Sequence, residues 1–304
     1  MKKIMKYMLI FTIIIYNILN MSVCIYAEKS SEYSDEMLNV AQNILTDLGF
    51  WKDFTDDETY ITRAEVAELM CMINQSTGDW HGYLDVPYDH RQPFISAVFV
   101  DEVERLGKNV FRLMSGDGNG YFRPDDFITY QEFIKVLVTH LCWGTYMTFN
   151  ENGHTADYPH GYIKIAELLG LYPIDESKYT APLTKDDAVI LLYNTLKAPA
   201  TRYKKTEYGI WRETYDWVEG KKGLVQVRGY CKNIDENTLE IDGVKYVGTV
   251  NSDNFTEGYV IAYCGLNGET DNNEIFTCYP VSSLNFDNPK AVSEELPSGA
   301  FQIM

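Results

Sequence analysis

The sequence predicts an α+β multidomain chain: a mainly α-helical pseudo-trimer of three repeats, followed by a small β-barrel-like domain. Three observations carry this reading. Ile61-Thr62-Arg63-Ala64-Glu65 returns in weaker form as Ile128-Thr129-Tyr130-Gln131-Glu132 and as Leu183-Thr184-Lys185-Asp186-Asp187. An amphipathic segment closed by Leu-Gly, at Gly49, Gly107 and Gly170, precedes each of these starts. After Ala198-Pro199-Ala200 the helical period gives way to short β-branched and aromatic runs separated by turn residues.

Taken in order, residues 1–27 read as a signal peptide: Lys2, Lys3 and Lys6, then an apolar run from Met8 to about Val23, with Ala27 before the cut. The run is close to the ~20 residues that span a bilayer, so an uncleaved anchor is the alternative. Residues 28–199 form the repeat domain, with units at about 36–76, 85–142 and 157–197. Met37–Leu48 is an amphipathic helix ended by Gly49; Phe94 to Gly107 and Tyr162 to Gly170 are its counterparts. After each Leu-Gly comes a loop and a helix capped by Thr62, Thr129 or Thr184, with Glu65, Glu132 or Asp187 three residues later. Hydroxyl and carboxylate at that spacing satisfy the first free N–H groups of a helix reciprocally, which explains these six residues structurally. Val66, Ala67, Leu69, Met70 and Ile73 continue the first helix at core-facing spacing, and the other two continue alike. Single units of this size cannot bury their apolar faces alone, so three of them imply packing about a pseudo-threefold axis.

Residues 200–285 form the β domain. Its strand candidates are 223–227, 238–241, 244–247, 259–263 and 274–279, with Asp242-Gly243 as a hairpin turn. Five short strands suit a small barrel of the oligonucleotide-fold or SH3-like kind. Residues 286–304 read as an irregular tail.

Charge and composition exclude several functions. Forty-four acidic residues against 26 basic ones give −18, which rules against nucleic acid as a partner. The acidity suits a secreted protein in a cation-rich wall, or simply a solvated surface. Cys71 and Cys142 lie in apolar helices as buried thiols; Cys231, Cys264 and Cys278 lie in predicted strands, where one bridge among the three stays open. No cofactor is implied and no metal site predicted. The histidines at 81, 90, 140, 154 and 160 lack helical ligand spacing. Asp117-Gly118-Asn119-Gly120 resembles the start of a calcium loop, but Tyr121 follows at the next ligand position and a turn explains it better. No nucleophile elbow or phosphate loop is present, and a glycosidase pair cannot be picked from so many acids, so the chain reads as no enzyme.

Leu-Gly, Asp85-Val86-Pro87, Gly116-Asp117-Gly118 with Phe122-Arg123-Pro124-Asp125-Asp126, and Ile61-Thr62-Arg63-Ala64-Glu65 occur in an order that resembles the S-layer homology domain. Three tandem copies are that family's usual number, and the third unit looks like those of clostridial members. The resemblance covers about residues 36–197. It implies a three-pronged assembly whose grooves hold secondary cell-wall polysaccharide, often through a pyruvylated sugar. The implied protein is secreted and anchors non-covalently in the cell wall or S-layer of a bacterium. A degenerate member contacting an envelope protein through the β domain, a structural S-layer component and, less favoured, a wall hydrolase are the alternatives.

Residue by residue, the resemblance assigns polysaccharide binding to Arg63 and Asp85, with Lys185 a weaker candidate. Arg63 sits in the first turn of its helix, where free N–H groups favour an anion and a guanidinium can hold a carboxylate bidentately. The alternative for Arg63 is a surface charge or a partner for Asp56, Asp57 or Glu58. Tyr130 and Lys185 replace the arginine in the other copies, and Arg91 stands after His90 where an aromatic is expected, so one competent groove, or two, is the expectation. Trp80, Tyr83, Trp143, Tyr146, Tyr158 and Tyr162 are either sugar-stacking rings or packing.

Overall fold

The computed structural model describes residues 33–54, 59–78, 82–87, 89–100, 113–143, 158–171, 176–207, 209–265, 273–287 and 300–302. The chain divides into two compact units, 1–35 and 36–304. The signal-peptide reading lies outside the described residues, as do Trp80, His81, Tyr146 and His154. Among the described residues no helix is long and apolar enough to cross a membrane.

Helix α1 (Asp35–Asp47) buries Met37, Val40, Ala41, Ile44 and Leu45 on one face. It ends at Gly49, whose φ of 70° lets Phe50 N–H reach back to the Leu45 carbonyl at 2.8 Å. Helices α2 (Arg63–Asn74), α4 (Tyr130–His140) and α6 (Lys185–Thr195) begin at the three threonines. Glu65 Oε2 accepts Thr62 N–H at 2.6 Å, and Glu132 Oε2 accepts Thr129 N–H at 2.9 Å. In α6 the shorter Asp187 accepts the Thr184 hydroxyl at 2.6 Å while its own N–H returns to Thr184 Oγ1 at 3.1 Å. Helix α3 (Gln92–Val100) covers the described part of the Phe94–Gly107 prediction, and α5 (His160–Leu168) matches the third.

One contact set ties the three starts together. Ile61 N–H donates to Leu183 O at 3.0 Å, Leu183 N–H to Ile128 O at 2.8 Å, and Ile128 N–H to Ile61 O at 3.1 Å. The three side chains are completely buried. Each residue precedes an N-cap in extended backbone and would otherwise bury an unmatched donor and acceptor; the closed ring satisfies all of them. The amides two residues later donate in the opposite cyclic sense, Arg63 to Asp126 O, Tyr130 to Ala181 O and Lys185 to Thr59 O.

After α6 come two antiparallel strands, β1 (Pro199–Thr206) and β2 (Gly209–Asp216), and a short helix α7 (Trp217–Lys222). Strands β3 (Leu224–Asp235), β4 (Thr238–Ile241), β5 (Val244–Val247), β6 (Glu257–Gly265) and β7 (Asn273–Pro280) close in the order β3-β4-β5-β7-β6, around Cys231, Leu239, Ile241, Val260, Ala262, Cys264 and Cys278. Asp242 and Gly243, at φ 48° and 84°, make the β4–β5 turn, the conformation that the Asp-Gly pair favours. The three barrel cysteines are free, buried thiols. Burial pushes the Cys231 thiol up to about 11 and Cys264 up to about 12, so they stay protonated packing groups.

The sequence reading needs correction at two places here. The segment between Pro199 and Lys222 forms a hairpin and a helix that apolar periodicity did not reveal, because paired backbone rather than an apolar stripe holds it. The tail read as irregular supplies β8 (Ala300–Gln302), which pairs with β2, and Asp287, whose carboxylate is fully buried.

Direct contacts join the helical region to the C-terminal segments, while the barrel keeps its own apolar cluster. Trp143 Nε1 donates to Pro199 O at 2.6 Å, and Thr201 N–H donates to Leu141 O at 3.0 Å. Trp217 is wedged between Phe50, at 5.3 Å, and His140, at 5.2 Å between ring centroids. Asp47 at the end of α1 accepts hydrogen bonds from Thr277, Tyr279 and Asn251 of the barrel.

Candidate functional site

The first residue of each threonine-capped helix crosses to the capping acid of another. Arg63 Nη1 bonds Glu132 Oε1 at 3.0 Å; the Tyr130 hydroxyl donates to Asp187; Lys185 Nζ lies 3.6 Å from Glu65 Oε1. Each carboxylate thus serves twice, capping its own helix and receiving its neighbour, and the three pairs follow the cyclic order of the Arg63, Tyr130 and Lys185 amides, opposite in donor-to-acceptor sense to the backbone ring. Arginine, tyrosine and lysine hold one structural position, so the departures noted in the sequence keep a donor there while changing its strength.

Arg63 is more deeply engaged than its sequence position suggests. Its Nε donates to Phe122 O at 2.8 Å, its Nη2 donates to Ser115 O at 2.8 Å, and the guanidinium lies 4.9 Å from the Phe122 ring centroid. The local acids Asp56, Asp57 and Glu58 lie outside the described residues. Replacing Arg63 by Ala leaves two carbonyls and Glu132 without this donor and should cost about 2 kcal/mol. Urea unfolding checks this, and a loss below about 0.5 kcal/mol would show that the contacts are dispensable.

Arg63 also lines a cleft of about 540 Å³ with Ser115, Glu132, Lys135, Tyr158 and Tyr162. Helix α4 presents Glu132 and Lys135 one turn apart on the same face. Lys135 Nζ donates to Leu113 O at 2.8 Å, and burial, with the Arg63 charge adding to it, pushes its pKa down to about 8. Tyr158 keeps half its surface exposed and stands edge-on to Tyr162, 6.4 Å away. Lys135 was missed by sequence reasoning, although its spacing from Glu132 was the available signal.

A second cleft, of about 300 Å³, lies beside Glu65 and is walled by Lys52, Phe54, Glu68, Phe94 and Asp125 among others. Lys185 reaches its edge through Glu65. Asp85 lines neither cleft. Its two oxygens accept the N–H groups of Phe122 and Arg123 at 2.8 and 2.6 Å, which shapes the turn that offers Phe122 O to Arg63. Arg91 clamps Asp89 and Asp125. Asp117 accepts from the N–H groups of Asn119 and Tyr121, a turn built on its own backbone. Trp143 is buried packing, and the Tyr83 hydroxyl accepts Gly116 N–H.

Comparison with protein families matches residues 112–134 to the S-layer homology domain. Residues 112–134 carry S-layer homology sequence. The matched stretch contains Ser115, Phe122 and Glu132, the three residues that hold the Arg63 guanidinium. An S-layer homology domain is a binding and anchoring domain, not a catalytic one, and it implies association with the cell surface. No curated protein matches the chain.

Proposed function

We propose that this S-layer homology protein binds secondary cell-wall polysaccharide non-covalently, in the cleft of Arg63, Lys135 and Tyr158, and so anchors at the bacterial surface. The observation that carries this is charge. In a chain of net −18, the cleft wall sets two cations, Arg63 and Lys135, against one acid, Glu132. An acidic sugar, such as a pyruvylated one, is the ligand that such a wall favours, with the exposed Tyr158 ring against its apolar face. Arg63 spends three of its five N–H groups on the fold and has two for a ligand. Asp85 acts by holding the turn beside Arg63, and Lys185 stands at the edge of the second cleft, against Glu65. The three units serve as one degenerate pseudo-trimer with unequal clefts.

Sedimentation with purified sacculi, with and without their attached polysaccharide, tests this. Because Arg63 is structural, Lys135→Gln is the informative variant: retention that needs the polysaccharide should fall at least tenfold, about 1.4 kcal/mol. Equal retention on both sacculus preparations, or on neither, would refute the proposal.

A further inference from the structure

The sixth residue of each threonine-capped helix, one turn beyond the capping acid, is Glu68 in α2, Lys135 in α4 and Ile190 in α6. These positions correspond through the cyclic order of the cross-helix pairs, so the same place is acidic, basic and apolar in turn. Around Ile190 the space is filled: Ile190 is 1% exposed, and the neighbouring Tyr130–Asp187 pair is buried. Around Lys135 the cleft is basic. Around Glu68 the sign reverses, because Asp53, Glu65, Glu68 and Asp125 outnumber Lys52 and Arg91 on the lining and Lys185 at its edge.

The molecule already shows how this second cleft treats an ammonium group. Lys52 Nζ sits 2.5 Å from Glu68 Oε1 and 5.2 Å from the Phe54 ring centroid. Lys185 Nζ lies 5.5 Å from the same ring and 3.6 Å from Glu65. A carboxylate on one side and an aromatic ring on the other is a complete recognition set for a primary ammonium. The Lys52 side chain is 40% exposed, so its ion pair is weak enough for a ligand to displace.

We propose that this cleft binds the primary ammonium of an amino sugar, with Lys52 occupying the ammonium position when the cleft is empty. Phe54 and Phe94 offer apolar surface to the C–H face of a pyranose, and a volume of about 300 Å³, at the small end of ligand pockets, suits one sugar residue better than a chain. The S-layer homology protein would then read two opposite charges, acid at Lys135 and amine at Glu68. This assignment does not depend on whether the first cleft holds polysaccharide.

Amide chemical-shift titration of the purified protein tests it, with glucosamine, N-acetylglucosamine, glucuronic acid and Nα-acetyllysine amide as probes. Glucosamine should shift the Glu65 and Glu68 amides saturably, and N-acetylglucosamine, which lacks the charge, should bind at least tenfold more weakly. Lys52→Ala should tighten glucosamine severalfold and Glu68→Gln should weaken it about tenfold, both with unchanged circular dichroism. Lys135→Gln should leave the glucosamine shifts intact, which separates this cleft from the polysaccharide site. Equal binding of the acetylated and free sugars, no response to Lys52→Ala, or tighter binding of the lysine amide than of glucosamine would each overturn the assignment.

Discussion

Replacing Asp287 by Ala should destabilise the protein by about 3–5 kcal/mol, the cost of stranding buried charges. Its fully buried carboxylate receives Arg228 through two nitrogens at 2.9 and 2.6 Å, Lys197 at 3.3 Å and the Tyr193 hydroxyl at 2.9 Å. Burial pushes this carboxyl up, but hydrogen bonds from Arg228 and the charge of Lys197 outweigh it and hold the pKa below the usual carboxylate range. Without Asp287 two cations face each other where strand β3 meets the end of α6. Urea denaturation should show the loss as a lower midpoint in a single transition, since the cluster ties helix, barrel and tail together. A change under about 1 kcal/mol would mean that water reaches the cluster and screens it.

Acid should loosen the same molecule through His140. This residue ends α4 and packs against Trp217, and neither His140 Nε2 nor Trp217 Nε1 has a partner among the described residues. Burial, with the Lys221 charge adding to it, lowers its pKa from 6.5 to about 3. A neutral histidine in the folded state and a protonated one in the unfolded state means that stability is full above the unfolded value. Stability then falls as the pH drops below about 6.5, by about 1.4 kcal/mol per pH unit, levelling near the folded value. By pH ~4.5 the contribution reaches about 3 kcal/mol. Comparing unfolding free energies of the protein and His140→Gln between pH ~7 and ~4.5 checks this. The variant should lose distinctly less; parallel curves would show that His140 is not the responsible group.

Much of the helical half was legible because its signals are local. A threonine hydroxyl and an acid three residues later meet within one turn, so Thr62–Glu65, Thr129–Glu132 and Thr184–Asp187 could be paired from spacing alone, and each cap is present. The strands from β3 to β7 were legible for a similar reason, since turn residues such as Asp242-Gly243 bracket short apolar runs. The β1–β2 hairpin was not. Its residues carry little apolar alternation, and its place depends on Trp143 and Leu141, more than fifty residues earlier, bonding to Pro199 and Thr201.

For the site, residue type could be read and partnership could not. Arg63 stood out as the cation at a helix start, but Phe122, Ser115 and Glu132 lie 59, 52 and 69 residues away in sequence. Asp85 was read as a sugar acceptor and its carboxylate is occupied by two backbone N–H groups. By itself the sequence determined where helices begin, which faces are apolar and which three threonines cap helices, because those follow from torsions and hydrogen bonds within a few residues. Only the tertiary structure decided that the capping acids also receive the neighbouring helix, that Lys135 and Glu68 give corresponding clefts opposite charge, and that Asp287 is a buried keystone. Those outcomes depend on which distant groups the closed ring of Ile61, Ile128 and Leu183 brings within hydrogen-bond reach, and on how fully the packing then removes them from water.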